Sequence, residues 1–418
     1  MMARRAGLFF VFLMTAMEII VDLRVLLKQP LTGVGLYTAG LLTALLKSDQ
    51  HNFYKLFING LTLPQREVLK SFQQFSNAKL CSFHYPNKFL NGSLAFLKRP
   101  HLDKLAGGSP RLSSSPRWRA GAAGGEAGGR IFWFPNLNFW SVTPACQAVV
   151  TVHDLSFERI KWAYSAKMRL WHELIGPKEK LRSAAKVIAV SESTKRDLMD
   201  IYRLPENKIE VIYPGIESQI TNLSRAEPRD HKSQITKDDL PEKYILFLGT
   251  LEPRKNVEGV IRAFELLNRP DYHLVIAGVR GWLYRKIYQA ARRSPLKARI
   301  RFIDYIEPEA RAQLYQKAAL LVWPSFYEGF GLPPLEAMAD SCPVITSANS
   351  SLPETTRGAA LLVNPYNIRE IALAMKMVLT DNDLRQNLIN KGYQVVQNYS
   401  WQKSAEKMLN IFNSLIKN

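Results

Sequence analysis

The chain of 418 residues is long enough for two domains, each with its own hydrophobic core. It contains 56 Lys and Arg against 36 Asp and Glu, a formal net charge of +20, which indicates a partner or surface that carries negative charge. Three widely spaced cysteines, Cys81, Cys146 and Cys342, argue against a disulfide framework and a zinc site, and no apolar run approaches the roughly 18 residues that a membrane-spanning helix needs.

Residues 1–16, MMARRAGLFFVFLMTA, form an N-terminal extension with two arginines before a short apolar run. That pattern is similar to a signal peptide. However, Met17 begins MEIIVDLRVL, which is typical of the first strand of a parallel sheet. We therefore interpret the extension as an over-long start, with a membrane-contacting tail as the alternative.

Short apolar runs alternate with helical patterns over residues 17–216. Because strands that alternate with helices form parallel, doubly wound sheets, we predict one Rossmann-like domain there. The predicted strands are Glu18–Arg24, Phe53–Ile58, Leu80–His84, Ile131–Phe134, Val149–His153, Val187–Val190 and Ile209–Tyr213, and the predicted helices include Leu36–Leu46, Lys167–Ser183 and Thr194–Ile201.

The positive charge is concentrated near the N-terminus, since residues 1–130 contain 17 Lys and Arg against 6 Asp and Glu. A phospholipid surface, a lipid pyrophosphate or a nucleic acid would suit this surplus, and a merely soluble basic surface is the alternative. Part of the charge lies in residues 107–130, a segment rich in Gly, Ala, Ser and Arg. We predict a disordered insertion there, with a basic acceptor-binding loop as the alternative.

An aromatic and basic segment, Ile160–His172, has the spacing of an amphipathic helix. Such a helix could dock on an anionic membrane surface. The alternative is that its large side chains pack into the core, which the same spacing would produce. Those side chains are Trp162, Tyr164, Met168 and Trp171.

Residues 217–240 are polar and are predicted to link this domain to a second one at 241–398. The second domain repeats the alternation of strands and helices. We predict that residues 399–418 form an amphipathic helix that crosses back to the first domain. The predicted elements of the second domain are the strands Tyr244–Leu248, His273–Ala277, Ile300–Ile306, Leu320–Pro324 and Val344–Ser347 and the helices Val257–Leu267, Leu283–Arg293 and Pro308–Ala319.

Two motifs of the first domain follow predicted strands. LTGVGLYTAGLL contains Gly33 and Gly35, which permit close backbone approach to a ligand at the start of a helix. VVTVHDLSF places His153 and Asp154 at the end of a strand, where open α/β sheets bind ligands. A tight turn and a packed histidine are the alternative interpretations.

Two further motifs lie in the second domain. FLGTLEPRKNV ends a strand at Gly249 and places Arg254 and Lys255 before a helix, an arrangement that suits a diphosphate, with a solvated basic pair as the alternative. In YEGFGLPPLEAMA the glycines and prolines predict a loop that carries Glu328 and a helix whose first turn carries Glu336. Two carboxylates around exposed backbone N–H groups are typical of a ligand site.

Together these motifs resemble the retaining glycosyltransferases of family 4, also called glycosyltransferase group 1, and more closely their mannosyltransferase-like members. The resemblance begins at Met17 and covers nearly the whole chain, and its most specific part is the E-x7-E spacing of Glu328 and Glu336. The supporting motifs are TGVGLYT, VTVHDLSF, VIAVSESTKRDL, VIYPGIE, FLGTLEPRKN and SWQKSAEKML. The resemblance implies the GT-B fold, in which two Rossmann-like parallel-sheet domains face a central cleft. The basic insertion and residues 1–16 depart from the family pattern.

The resemblance also implies roles for individual residues. Glu328 and the backbone after it would hold the donor sugar, while Glu336 would bind the ribose of the nucleotide. Arg254 and Lys255 would stabilise the departing diphosphate. His153 would contact the sugar from the opposite domain. Gly33, Gly35 and Gly249 would line the donor site, and the sugar-binding backbone would comprise Gly329, Phe330, Gly331 and Leu332.

The implied reaction retains the anomeric configuration and needs no cofactor or metal, because the basic pair replaces a divalent cation. An Asp381–Asp383 motif is similar to a metal-binding DxD but is better interpreted as the start of a helix. We expect a hexose donor, GDP-mannose first, and a saccharide or lipid-linked saccharide acceptor. The location would be the cytoplasm or the inner face of its membrane, and the product a surface polysaccharide.

Two alternatives to this function stay open. Another GT-B enzyme, such as a sucrose- or trehalose-type synthase or a nucleotide-sugar epimerase, would share the donor motifs. A basic nucleic-acid-binding protein would share only the charge, and because no RNA or DNA module is recognisable, we expect no nucleic acid partner. The sequence indicates no oligomeric state.

Overall fold

The computed structural model describes residues 16–27, 31, 33–60, 67–107, 130–216, 240–304, 306 and 308–416. Within them, the first domain is built on a parallel sheet with the order β3-β2-β1-β4-β5-β6-β7. Its strands are β1 Glu18–Asp22, β2 Phe53–Asn59, β3 Ala78–Phe83, β4 Arg130–Phe134, β5 Cys146–Val152, β6 Lys186–Ala189 and β7 Ile209–Val211.

The second domain is built on another parallel sheet, with the order β10-β9-β8-β11-β12-β13 among the described residues. Its strands are β8 Tyr244–Leu248, β9 His273–Ala277, β10 Ile300–Ile303, β11 Leu320–Trp323, β12 Val344–Ser347 and β13 Ala360–Val363. Both orders reverse direction beside the first strand of the domain, as in doubly wound folds. The predicted α/β class with two parallel-sheet domains is confirmed.

Helices cover the faces of both sheets, so the central strands are buried and almost wholly apolar. Every residue of β8 is buried, for example. The helices of the first domain are α1 Gly33–Ser48, α2 Glu67–Gln73, α3 Asn87–Gly92, α4 Leu102–Gly107, α5 Ser156–Arg159, α6 Ala166–Ile175, α7 Pro177–Ser183 and α8 Glu192–Tyr202. Those that follow are α9 Val257–Leu267, α10 Arg285–Arg293, α11 Pro308–Lys317, α12 Leu332–Ala339, α13 Leu352–Thr356, α14 Ile368–Thr380, α15 Asn382–Val396 and α16 Trp401–Ile416.

The last helix, α16, packs against α1 of the first domain. Trp401 is the main contact: its ring lies 5.8 Å from that of Tyr37, and a Cβ on Gly40 would stand 2.5 Å from the indole. Ser404 donates a hydrogen bond to the carbonyl of Tyr213 at 2.6 Å. The C-terminal helix therefore fastens the second domain to the first.

Several predicted elements differ from the observed ones. The first strand ends at Asp22 because Arg24 folds back in a 3-10 turn onto the Asp22 carboxylate, and β10 ends at Ile303. The predicted helix Lys167–Ser183 is wrong as one helix, since Gly176 adopts the left-handed conformation (φ 62°) and separates α6 from α7. Strand β13 and helices α13 and α14 were not predicted.

The aromatic segment Ile160–His172 is also not a single helix. Ser165 caps the start of α6, and a separate 3-10 turn precedes it. Tyr164 is buried, whereas Trp162 is 57% exposed and Trp171 is 39% exposed. The core interpretation therefore holds for Tyr164 and not for the two tryptophans.

Three predictions concern segments that lie mainly outside the described residues: the extension 1–16, the insertion 107–130 and the linker 217–240. Among the described residues, no helix has both the length and the apolar character needed to cross a membrane. Cys81, Cys146 and Cys342 are free thiols.

Candidate active site

The loops that carry the predicted donor motifs follow two neighbouring strands, β8 and β11. Because the strand order reverses between them, the loops at their carboxyl ends diverge and leave a crevice in which open α/β sheets bind ligands. The loop after β8 carries Arg254 and Lys255, and the loop after β11 carries Glu328. Glu328 thus meets two residues that lie 74 and 73 positions earlier in the chain.

Glu328 forms two ion pairs, one through each carboxylate oxygen. Arg254 donates from Nη1 to Oε2 at 2.7 Å, and Lys255 donates from Nζ to Oε1 at 2.6 Å. Glu328 is only 5% exposed, and the carboxylate of Glu252, also buried, lies 2.6 Å from Arg254 Nη2. The ammonium of Lys255 also lies 4.2 Å from the centroid of the Trp323 ring. Four of these side chains, Glu252, Arg254, Lys255 and Glu328, form one buried charged cluster, called here the donor cluster.

Burial and charge act against each other in the donor cluster. Burial alone would raise the pKa of Glu328, but Arg254 and Lys255 outweigh it and hold that pKa below its usual value. Burial raises the pKa of Glu252 further than the same two cations lower it. Burial and repulsion from Arg254 lower the pKa of Lys255.

Hydroxyl groups fix the backbone of the loop around Glu328. The Glu328 N–H donates to Ser350 Oγ at 3.0 Å, and Ser351 Oγ donates to the Glu328 carbonyl at 3.0 Å. Thr355 Oγ1 donates to the Phe330 carbonyl at 2.7 Å. Gly331 adopts φ 99°, and a Cβ there would stand 2.7 Å from the side chain of Leu352, so the turn requires glycine. The loop is therefore held in shape before any ligand binds.

The same loop touches the first domain at Gly329. A Cβ on Gly329 would stand 1.7 Å from the carbonyl oxygen of His153, so no other residue fits this approach. His153 Nε2 donates to the Pro135 carbonyl at 2.8 Å, and burial lowers the pKa of the imidazole. The ring also makes an edge contact with Tyr37 at 4.7 Å. His153 is thus a neutral side chain held at the boundary between the two domains.

Asp154, the neighbour of His153, belongs to the electrostatic surroundings of Arg254. Burial would raise the pKa of Asp154, but Arg254 and the hydrogen bonds from Ser156 bring it below its usual value. Asp154 therefore acts electrostatically on the donor cluster from the first domain.

Glu336 lies on α12, in the second turn and not in the first as predicted, because the helix begins at Leu332. Its side chain keeps 24% of its surface exposed. Tyr315 donates to Oε2 at 2.9 Å, and Arg311 Nη1 is 3.8 Å from Oε1. One oxygen of Glu336 is therefore fixed in place while the carboxylate stays open to a hydroxyl ligand.

The other predicted donor residues lie in both domains, with different degrees of access. Gly249 directly follows β8 with φ 157°, and Gly33 and Gly35 stand in the first turn of α1, with open space beside Gly33. Leu332 is half-buried at the start of α12. The ring of Phe330 packs against Tyr399 at 5.4 Å, so Phe330 contributes backbone to the loop and its side chain to the core.

Sequence reasoning missed a second set of contacts between the domains. Glu354 on α13 accepts hydrogen bonds from the N–H groups of Glu192 and Ser193, at the start of α8, at 2.7 and 3.1 Å. Tyr213 donates to the same carboxylate at 2.7 Å, and the Tyr327 hydroxyl donates to Asp197. A single glutamate in a polar stretch has no distinctive spacing, so no sequence pattern indicates this contact.

No group of three or more His, Cys, Asp or Glu side chains is arranged to hold a metal ion in the part of the chain that the structure describes. Asp381 accepts a hydrogen bond from the N–H of Leu384 at 2.8 Å and caps α15, which agrees with its interpretation as a helix start.

Two family models match the chain. The one described as Glycosyl transferases group 1 matches residues 228–395, and the one described as Glycosyltransferase Family 4 matches residues 131–219. The first match contains Arg254, Lys255, Glu328 and Glu336, and the second contains His153.

Individual proteins agree with the family models. An O-antigen chain mannosyltransferase B from Escherichia coli is 30% identical over 398 residues, which cover 93% of this chain and 98% of that protein. A sucrose-phosphate synthase from Thermosynechococcus elongatus superposes with a TM-score of 0.67 at 20% identity, over 96% of this chain and 99% of the other. An Anabaena protein solved in complex with UDP-glucose superposes with a TM-score of 0.66 at 15% identity, over 95% and 100%. These structures share the GT-B fold with this chain.

Proposed function

Because this chain belongs to the group 1 glycosyltransferases of family 4, we propose that it transfers a hexose from a nucleotide sugar, first mannose from GDP-mannose, to a saccharide acceptor. The transfer retains the anomeric configuration and needs no metal. Membership of the family gives the general reaction, the transfer of a glycosyl group. The donor, the stereochemistry and the acceptor are the proposal.

The observation that carries the proposal is the donor cluster. Arg254 and Lys255 lie at the strand-order reversal, where nucleotides bind in this class of sheet, and together they supply a planar fork and a point charge. When the bond between sugar and diphosphate breaks, negative charge develops on the diphosphate, and preorganised cations stabilise it. Two cations at this position would make a divalent metal ion redundant.

The two glutamates bind different parts of the donor. Glu328 is joined to both cations and stands beside the bond that breaks, where it would orient the sugar. Glu336, partly exposed and steadied by Tyr315, would accept hydrogen bonds from the ribose hydroxyls. His153, neutral and fixed by the Pro135 carbonyl, would face the sugar from the first domain.

The relative named an O-antigen chain mannosyltransferase supports mannose as the sugar and a growing surface polysaccharide as the product. Such a product is assembled on a lipid-linked saccharide in our proposal. The enzyme would then work in the cytoplasm or at the inner face of the membrane. The exposed side chain of Trp171 supports a peripheral contact with an anionic membrane, whereas Trp162 packs against Phe326 of the second domain.

The other GT-B activities have weaker support. The sucrose-phosphate synthase is similar at 20% identity, which concerns the fold alone. A nucleic-acid-binding function would rest on the charge of +20 without a recognisable module.

A hydrolysis screen over GDP-, UDP-, dTDP- and ADP-sugars, with and without excess EDTA, tests the proposal. We expect release of sugar from GDP-mannose, with the anomeric configuration retained, at the same rate in EDTA. Hydrolysis of another nucleotide sugar would identify that compound as the donor in place of GDP-mannose. A strict requirement for added Mg²⁺ or Mn²⁺ would contradict the proposed role of the basic pair. If no nucleotide sugar is hydrolysed while an oligonucleotide binds at physiological salt, the enzyme proposal fails.

A further inference from the structure

A second group of cations lies in the first domain, away from the donor cluster. Lys180 on α7 donates from Nζ to the carbonyl of Trp140 at 2.7 Å, and its ammonium lies 4.9 Å from the centroid of the Trp140 ring. Arg24, in the 3-10 turn after β1, donates from Nη2 to the carbonyl of the neighbouring Phe139 at 2.9 Å. The backbone of Phe139 and Trp140 therefore holds two basic side chains on one short segment.

A third cation, Lys98, acts electrostatically on Lys180. Burial lowers the pKa of Lys180 to about 8, and repulsion from Lys98 and from Arg24 adds to that decrease. Lys98 and Arg24 therefore both act on Lys180. We use the name basic pocket for the set that they form with the tryptophan, namely Arg24, Lys98, Trp140 and Lys180.

The cations of the basic pocket differ in how far their charge is compensated. Arg24 contacts the carboxylate of Asp22 at 2.7 Å. Among the described residues, no carboxylate lies within ion-pair distance of Lys98 or Lys180. Two of the three positive charges in the pocket are therefore left without a nearby counter-charge.

Two polar atoms of the basic pocket are buried without a hydrogen-bond partner. These are Nη1 of Arg24 and Nε1 of Trp140, on side chains of residues that are 9% and 6% exposed. Buried donors are almost always satisfied, by protein, by water or by a ligand, because an unpaired one has lost its hydration without compensation. A group with several acceptor oxygens and a negative charge would satisfy both unpaired donors and would also balance the charges of Lys98 and Lys180.

The pocket lies at the side of the sheet where an acceptor would enter. Arg24 follows β1 and Trp140 follows β4, the two strands between which the strand order of the first domain reverses. The ring of Trp140 stacks on Phe134, the last residue of β4, at 4.9 Å. Ligands of doubly wound sheets bind at this edge. The opposite side of the cleft belongs to the donor.

Exposed apolar side chains stand next to Lys98 in the chain. Phe96 and Leu97, which precede Lys98, are 75% and 71% exposed, and Phe89 on α3 is 79% exposed. Large exposed apolar groups next to unpaired cations suit a ligand with an anionic group and an apolar chain.

We propose that the basic pocket binds a phosphate ester on the acceptor, so that the enzyme acts on phosphorylated saccharides. The proposal rests on the proposed function, because it assumes that the protein binds a saccharide acceptor. A phosphate fits better than a carboxylate because it presents three oxygens, enough for the guanidinium, the indole N–H and an ammonium together. The phosphate could belong to a lipid carrier or to a soluble sugar phosphate.

Binding of inorganic phosphate, followed by ³¹P NMR, tests the pocket directly. Lys98→Gln and Lys180→Gln should each weaken the binding by about 10-fold, as loss of a charge-assisted contact does. Lys180→Arg should stay within about 3-fold of the wild type, since the charge is kept. Lys178→Gln, on the same helix, is the matched control and should change nothing. Because Lys98 is exposed, its substitution tests the pocket even if a change at Lys180 harms folding.

Phosphate will also bind at the donor cluster, and Arg254→Met separates the two sites. That variant should lose the donor-side binding and keep the part that depends on Lys98 and Lys180. If Lys98→Gln and Lys180→Gln bind phosphate as tightly as Lys178→Gln, the pocket is not an anion site and the inference is wrong.

Hexyl phosphate distinguishes the two sources of the phosphate. Tighter binding than inorganic phosphate, with the increment lost in Phe96→Ser, supports a lipid-linked acceptor. Equal binding of the two probes supports a soluble sugar phosphate. Nucleotide-sugar hydrolysis is measured alongside: if the wild type hydrolyses none, the proposed function fails whatever the pocket binds, and if hydrolysis is intact while the pocket variants bind phosphate normally, only this inference fails.

Discussion

The positively charged side chains on the two sides of the cleft have different kinds of partner. On the donor side Arg254 and Lys255 both contact Glu328, at 2.7 and 2.6 Å. On the acceptor side Lys180 contacts a carbonyl and a ring, and two buried donors nearby have no partner. A paired cluster keeps its geometry without a ligand, whereas an unpaired one depends on the ligand for its charge balance. We infer that the donor side is preorganised and that the acceptor side is completed by its substrate.

The largest expected effect comes from breaking the donor side at Arg254. Arg254→Met removes the forked contact to the diphosphate and one of the two partners of Glu328, and turnover should fall by about 10³-fold. Arg293→Met, an exposed arginine of the same domain, is the matched control and should have no effect on turnover. Steady-state hydrolysis of the nucleotide sugar measures both. A loss below about 10-fold would mean that the diphosphate does not lie on Arg254.

Glu336 should show the next largest effect. Glu336→Gln should weaken the binding of free nucleoside diphosphate by about 1–3 kcal/mol, or roughly 5- to 150-fold, because the ribose hydroxyls lose a charged acceptor. Tyr315→Phe leaves the carboxylate but removes its 2.9 Å hydrogen bond, and the loss should be smaller, about 1 kcal/mol. Calorimetry on both variants tests the order. If Tyr315→Phe is the more harmful change, the hydrogen bond is structural and Glu336 does not bind the ribose.

The contact between the two sides can be broken at Gly329. Gly329→Ala places a Cβ on the His153 carbonyl and should force the donor loop away from the first domain. Turnover should fall by roughly 10-fold or more, since a small misplacement of the reacting groups is costly. Gly92→Ala is the control, because nothing stands within 4 Å of the corresponding position. Equal activity of the two variants would show that this contact is absent during turnover.

A smaller effect concerns the pH dependence of stability. Burial lowers the pKa of His153 in the folded protein, so its neutral form stabilises the fold above the unfolded pKa, about 6.5. That contribution is lost as the pH falls from the unfolded pKa through the lower, folded pKa. Thermal unfolding should therefore show a larger loss of stability on acidification for the wild type than for His153→Gln. His84→Gln, at an exposed position, should follow the wild type; equal acid sensitivity of all three proteins would contradict this role of His153.

Sequence patterns were informative where a site lies on short continuous motifs. Arg254 and Lys255 are adjacent, and Glu328 and Glu336 share one loop and helix, so both motifs are visible in the chain. The ion pairing of Glu328 with both cations was not predicted, because the distance between two loops depends on the packing of β8 beside β11. The basic pocket was not predicted either. Its residues come from four separate segments, and only the folded sheet brings Arg24, Trp140 and Lys180 together.

Helix boundaries show the same limit. The periodicity of Lys167–Ser183 suits one helix, yet Gly176 in the left-handed conformation divides it. The spacing of Ile160–His172 suits one amphipathic helix, yet Tyr164 turns into the core while Trp162 stays outside. Local periodicity does not reveal where tertiary packing interrupts a helix.

The affinity of Glu328→Gln for free nucleoside diphosphate tests the account most directly. The substitution removes the negative charge that Arg254 and Lys255 share, so a diphosphate meets two less compensated cations. We predict affinity equal to or higher than that of the wild type by calorimetry, together with a loss of turnover of about 10²-fold, because Glu328 acts on the sugar and on the breaking bond. If Glu328→Gln instead weakens nucleotide binding as much as Glu336→Gln does, the two glutamates do not bind different parts of the donor, and the central claim is contradicted.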